Sequence, residues 1–242
     1  MIGSIINAVA IVLGGALGFT RKEPLSAANQ SFFKVSLGAF TVYYGLRLTW
    51  IGLNGSFGQI LLQLMVAVLA MMIGKQMGRL LRLQEWSNRL GQIARNKIAS
   101  PDHDPQRRFN DGFRTCAILF CAAPLGILGA VSEGFSNYVE PLILKGIMEG
   151  LAAMGFVRIF GWGVVLSALP VLALQGSFTL VCDEGIGPWL MSLGLVNAVN
   201  ATAGLLIFSV GLVIFELKKI ELADYLPSLA VAPALAWLLK WV

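Results

Sequence analysis

The residues best placed to do chemistry lie in one stretch, AVSEGFSNYVEPLILKGIMEG, which carries Glu133, Glu140, Lys145 and Glu149 through an otherwise apolar region. Lys145 and Glu149 stand four residues apart and share one face of a helix. There they can neutralise each other at membrane depth, where an ionisable group is costly and usually faces a partner or an interior path. Glu149 is the deepest carboxylate, Lys145 its counter-charge, and Glu133 marks the outer end of a span. These types in this pattern suit a cation, proton or small-solute path. A structural ion pair with interfacial acids in an ordinary outer loop is the competing account, and it fits Glu140 better than Glu149 or Glu133.

Other polar groups interrupt apolar runs. SALPVLALQGSFTL sets Gln175, Ser177 and Thr179 beyond Pro170, and CAAPLGILG sets Pro124 inside another span. Proline removes an N–H and frees a carbonyl, and discontinuous helices form substrate and ion sites in many transporters. Kinks with Ser and Thr bonded back to the backbone would leave the same trace. Asn7, Asn197 and Asn200 complete the set. Asn within a span usually bonds to a neighbouring helix, but Asn197 and Asn200 are three apart and share a face, which adds weight to a site.

No catalytic or cofactor apparatus accompanies them. The only histidine, His103, falls in a hydrophilic loop, and Cys116, Cys121 and Cys182 have no metal-ligand spacing. Neither a nucleophile with its base nor a glycine-rich phosphate loop is found. The expectation is no enzyme, no metal and no cofactor.

The elements that must hold these groups are membrane helices. Of 242 residues, 57% are hydrophobic and 13% charged, against about 25% charged in a soluble domain, and the mean hydropathy is +0.75. The apolar runs are continuous and lack the alternation of a barrel. The fold class expected is an all-α polytopic transmembrane helix bundle forming a single domain over residues 1–242. Eight spans are read, at 1–19, 35–53, 58–80, 113–131, 139–157, 160–181, 189–214 and 222–241.

Charge orients them. Arg21, Lys22 and Lys34 follow the first span, Arg158 the fifth, and Lys218 and Lys219 the seventh. Nine of the eighteen Lys and Arg residues lie between Lys75 and Arg114. Beside membrane spans such clusters mark cytoplasmic loops rather than nucleic-acid contacts. The opposite connections carry Glu133, Glu140, Asp183 and Glu184. Both termini are therefore expected outside. The apolar N-terminus precedes its first cations, the wrong order for a secretory signal peptide.

The basic loop, 84–111, begins with LQEWSNRLGQIARNKI, whose apolar residues recur at helical spacing. It reads equally as an amphipathic helix on the inner membrane surface or as a solvated extension of the third span. SPDHDP then breaks it through Pro101 and Pro105. Glycines four apart, Gly14/Gly18, Gly74/Gly78 and Gly146/Gly150, allow close helix packing within the chain or across a homodimer. GAFTVYYGLRL from Gly38 echoes GLLIFSVGLVI from Gly204 on oppositely directed spans, the signature of an inverted repeat.

MIGSIINAVAIVLGG, LFCAAPLGILGAVSEG, LILKGIMEG, LPVLALQGSFTL and LKKIELADYLPSLAVAP together resemble the YqgA/YdfK-like group of bacterial inner-membrane proteins of unknown function, in the same order and over nearly the whole chain. The resemblance implies a bacterial plasma-membrane location and motif positions at Asn7, Glu133, Lys145, Glu149 and Gln175. Relatives often carry an acid near the start of the seventh span, where this chain reads LVNAVNATAG. The function expected from all of this is a small secondary transporter or channel for an unknown ion or small polar solute in the lipid bilayer. The alternative is a non-transporting scaffold or partner subunit.

Overall fold

In lipid every backbone N–H and C=O must be satisfied within the chain, which leaves long apolar segments the helix as their solution. The computed structural model describes residues 1–21, 23, 25–100 and 104–240; Lys22, Pro101, Asp102 and His103 lie outside them. The helices are α1 (Ile2–Thr20), α2 (Ala27–Ile51), α3 (Phe57–Leu80), α4 (Leu83–Ala99), α5 (Pro105–Ala122), α6 (Pro124–Ser136), α7 (Glu140–Phe160), α8 (Gly163–Leu166), α9 (Ala168–Leu180), α10 (Gly187–Ser192), α11 (Val196–Ile214) and α12 (Ser228–Lys240). A π-helical turn at Val181–Ile186 joins α9 to α10, and a 3-10 turn at Leu222–Tyr225 precedes α12.

The chain is a helical membrane bundle. By length and composition α1, α3, Gly163–Ser192, α11 and Leu222–Leu239 are able to cross a bilayer, and α5 with α6 forms a sixth span bent by 58°. The two further segments of the eight-span reading, α2 and α7, have 25 and 21 residues but are more polar. Their packing aligns them with the others. Gly3, Gly14 and Gly18 of α1 meet Leu142, Gly150 and Met154 of α7 in that order, so the two run parallel. Gly45 and Gly52 of α2 meet Phe208 and Ala201 of α11, an antiparallel pair. Likewise α3 is antiparallel to α12, through Gly74 on Ser228 and Gly78 on Asp224. Every direction agrees with eight successive crossings.

Several boundaries differ from the sequence reading: α2 begins at Ala27, behind a Ser26 cap, rather than at 35, and the α5–α6 span covers 105–136 rather than 113–131. The sixth span continues through the π-helical turn to Ser192, and the seventh begins only at Val196, because Gly194 adopts φ +68 and ends the helix. The loop helix α4 is no continuation of α3, since Arg82 at φ 54 turns the chain between them. Gln84 then pins α4 to the 3-10 turn, its N–H donating to Asp224 Oδ1 at 2.9 Å and its side-chain oxygen accepting from Ala223 N at 3.1 Å. Pro105 opens α5 behind an Asp104 cap instead of only closing the loop.

The glycine faces are used inside the chain. A Cβ at Gly14 would collide with the Gly150 carbonyl, and one at Gly78 with the Asp224 carbonyl. The observation behind an expected homodimer is thereby spent on internal packing. The echo between α2 and α11 has a structural meaning: Gly38 faces Gly211 and Gly45 faces Gly204, a self-complementary antiparallel contact.

The packing divides the bundle into two groups. One gathers α1 and α5–α10 around α7; the other gathers α3 and α12 around the α2–α11 pair. Their seam is closed at one end. There Arg47 bonds Glu140 at 2.8 Å, the Tyr138 hydroxyl donates to the Tyr44 carbonyl at 3.0 Å, and Asn200 donates to Ser136 Oγ at 2.7 Å. At the opposite end lie Arg21, Lys34, Lys75, Arg79, Arg158 and Lys218, where Lys34 pairs with Glu216 and Arg79 with Glu221. A hydrogen bond from Lys34 and its charge hold the exposed Glu216 carboxyl below its usual range.

Candidate functional site

The bend between α5 and α6 organises the interior. Ala123 is extended and Pro124 takes the first position of α6. Pro124 has no N–H to offer the carbonyl four residues back, that of Phe120. Lys145 supplies the missing donor, its Nζ lying 3.0 Å from Phe120 O. The same ammonium is bonded to Glu149, one turn on along α7. Both side chains are buried, at 2% and 6% exposure.

Beside this pair Asn7 Nδ2 of α1 donates to Gln175 Oε1 of α9 at 2.9 Å. Two of the four side chains, Lys145 and Gln175, meet at Gly126. A Cβ there would lie 2.8 Å from Lys145 Cε and 3.1 Å from Gln175 Nε2. Gly146 makes room on the far side, where its Cβ would approach Asn7 Oδ1 to 3.4 Å. Small residues at these two positions let the polar groups meet.

Among the described residues three buried atoms of the quartet find no hydrogen-bond partner: Asn7 Oδ1, Glu149 Oε2 and Gln175 Nε2. Buried polar atoms in native proteins are nearly always satisfied, and each exception calls for a reason. Together they offer one donor and two acceptors, the complement of a water-sized species that accepts one hydrogen bond and donates two. Turning both amides over leaves the same count, since Asn and Gln each carry both functions.

A second polar layer lies one turn away. Glu133 accepts from the Gly3 N–H at 2.6 Å, from Ser4 Oγ at 3.1 Å and from Thr179 Oγ1 at 3.2 Å. Gly3 has a free N–H because the first turn of a helix leaves its amides unpaired, and the positive end of the α1 dipole favours an anion there. Ser4 precedes Asn7 by a turn on α1, and Thr179 follows Gln175 by a turn on antiparallel α9. The Glu133 layer therefore stacks on the Asn7–Gln175 layer, and that in turn on Lys145–Glu149. The result is a buried polar column from the less basic end of the bundle to its middle. Beyond it, toward the basic end, packing is apolar: Ile11, Cys116, Phe120, Ala153, Val157, Phe160 and Val171 form one cluster, each at most 5% exposed.

Asn7, Glu133, Lys145, Glu149 and Gln175 thus come together. Ser177 does not, being exposed on the opposite face of α9. Asn197 is exposed as well, whereas Asn200 is buried and bonded to Ser136 at the seam, so the two do not act as one face. Pro124 breaks a helix as expected. Pro170 does not: it is the third residue of α9, where an unpaired N–H position makes proline inexpensive. The sequence reading missed Ser4 as a member, used Thr179 only as background to Gln175, and did not identify the Phe120 carbonyl. Their spacing of one turn from Asn7 and Gln175, and of four from Pro124, was the available signal. Clefts of about 570 to 750 Å³ open at the basic end, and none of them is lined by a column residue.

A family described as protein of unknown function, DUF554, matches residues 2–237. The chain is 26% identical to an uncharacterized membrane protein, YdfK, of Bacillus subtilis (strain 168), covering 99% of this chain and 97% of that one. It is 30% identical to the uncharacterized protein YqgA of Escherichia coli (strain K12), covering 98% and 97%. No solved structure matches it.

Proposed function

Because the chain belongs to the DUF554 family, whose function is unknown, we infer its role from the buried column, and propose a small secondary transporter or channel for an ion or small polar solute. The observation that carries this reading is the trio of unpartnered buried atoms, Asn7 Oδ1, Glu149 Oε2 and Gln175 Nε2, beside a bent span. A core built only for stability has no use for three orphaned polar atoms, each of which costs about 1–3 kcal/mol. A site that takes up a transient ligand does. The Met1 ammonium caps Glu133 at 3.1 Å, and displacement of that cap would give the ligand an approach from one side along the polar layers. The apolar cluster of Ile11, Val157 and Phe160 closes the other side, so that passage requires this cluster to part.

Within this proposal the protein resides in a bacterial plasma membrane with its basic end in the cytoplasm, following the rule that short cytoplasmic loops are rich in Lys and Arg. The Glu133 end of the polar column then faces outward, and both termini lie outside. The chemistry proposed is translocation and involves no enzymatic step or resident cofactor.

Reconstituted liposomes test it. Wild type should pass at least one member of a broad panel of ions and small polar solutes, protons included. Glu149→Gln, nearly the same shape without the charge, should fall to background. Equal flux for both across the whole panel would sink the proposal.

A second reading, a partner subunit acting through the basic end, is favoured by α4, which exposes Trp86 and Ile93 together with Arg89. It requires Glu149→Gln to be harmless in cells and Trp86→Ala to abolish function.

A further inference from the structure

The seam between the two helix groups, closed at its outer end by Arg47–Glu140 and Ser136–Asn200, opens at the basic end into a cleft of about 750 Å³ between α2 and α7. Its walls are Phe33 and Leu37 on one side and Met148, Leu151, Phe156 and Ile159 on the other. Arg21, Lys34 and Arg158 sit at its mouth, and among the described lining residues the one acid is Glu23. Lys34 also holds Glu216 at 2.6 Å, in a pair exposed enough to exchange partners.

We propose that this cleft binds one acidic phospholipid, its phosphate on Arg21 and Arg158 and an acyl chain along α7 toward Met148. Three features select this occupant. The lining is apolar along its length and cationic only at the mouth, the polarity pattern of a phospholipid. Arg158 and Met148 are ten residues apart on one helix, about 15 Å at 1.5 Å per residue. That equals half of a hydrocarbon core about 30 Å thick, the reach of one leaflet. Finally, the cations stand at the end rich in Lys and Arg, and basic pockets between spans on that side hold acidic headgroups. The inference rests on the membrane placement of the bundle and is independent of whether the column conducts.

Purified, delipidated protein in mild detergent is titrated with phosphatidylglycerol and phosphatidylethanolamine of matched chains, and bound lipid is counted by native mass spectrometry. Phosphatidylglycerol should be retained preferentially. Arg21→Gln and Arg158→Gln should each weaken it by about fivefold, the value of one cation near a headgroup. Leu151→Trp, which fills the cleft, should remove binding of either lipid; its melting temperature is compared with wild type, and if it misfolds, Arg21→Gln at the exposed mouth decides the matter. Equal binding of the two lipids, or unchanged binding in Arg21→Gln, would overturn the proposal. So would displacement of the lipid by glycerol phosphate, which would mark the occupant as a soluble anion.

Discussion

Lys145 and Glu149 set the energetics of the site. Two charges taken out of water are costly, and their attraction repays that cost only when both partners stay in place. Glu149→Ala leaves the Lys145 ammonium with one carbonyl, that of Phe120, and should destabilise the protein by about 3–5 kcal/mol. The double replacement Lys145→Met with Glu149→Leu removes both charges and keeps volume, and should melt at or above the wild-type temperature in detergent. It should nevertheless carry no flux, because the charge pair at the end of the column is gone. Thermal unfolding of the three proteins checks the first point and liposome flux the second. If Glu149→Ala melted with the double variant, the pair would not be coupled. This comparison also separates a folded but inactive protein from an unfolded one, which Glu149→Gln alone does not.

At the scale of helices, close backbone approach is what brings the column together. α1 lies against α7 with Gly14 on the carbonyl of Gly150 and Gly18 on the backbone of Met154. Gly14→Val would push α1 away and carry Ser4 and Asn7 out of register with Thr179 and Gln175. Overpacking of this kind costs about 1–3 kcal/mol or more, and its folded yield in fluorescence size exclusion should drop sharply. Gly155→Ala on the same α7 has open space around it and should behave as wild type. The glycine spacing, the break at Pro124 and the Lys145–Glu149 turn were all legible in the sequence because each depends on residues near one another in the chain. The rotation of each helix was not. α9 is apolar nearly all round, so nothing in its pattern says that Gln175 and Thr179 face inward while Ser177 faces out. For the same reason Asn197 and Asn200 were paired by spacing although the start of α11 exposes one and buries the other. Which of two nearby residues is buried is set by partners distant in sequence, such as Ser136 for Asn200.

Over the whole molecule, charge and polarity are arranged along one axis. Arg21, Lys75, Arg79 and Lys218 crowd one end, and the polar column runs toward the other, ending at Glu133 under the Met1 ammonium. The alternating directions of α1, α2, α3, the α5–α6 pair, α7, α8–α10, α11 and α12 put the α2–α3 connection and α4 at opposite ends. That relation makes the orientation measurable with two single cysteines in a chain whose Cys116, Cys121 and Cys182 have been replaced by alanine. Gly58 at the start of α3 and Gly91 in α4 both have open space where a side chain would go. In intact cells a membrane-impermeant maleimide should label Gly58→Cys, and it should reach Gly91→Cys only after permeabilisation. The opposite pattern would invert the bundle and turn the Glu133 end of the column to the cytoplasm. Labelling of both from outside would mean that α3, the one helix between the two positions, does not cross, and would break the alternation itself. The 24 residues of α3 make that last outcome physically costly, since a segment this long and this apolar belongs in a hydrocarbon core about 30 Å thick.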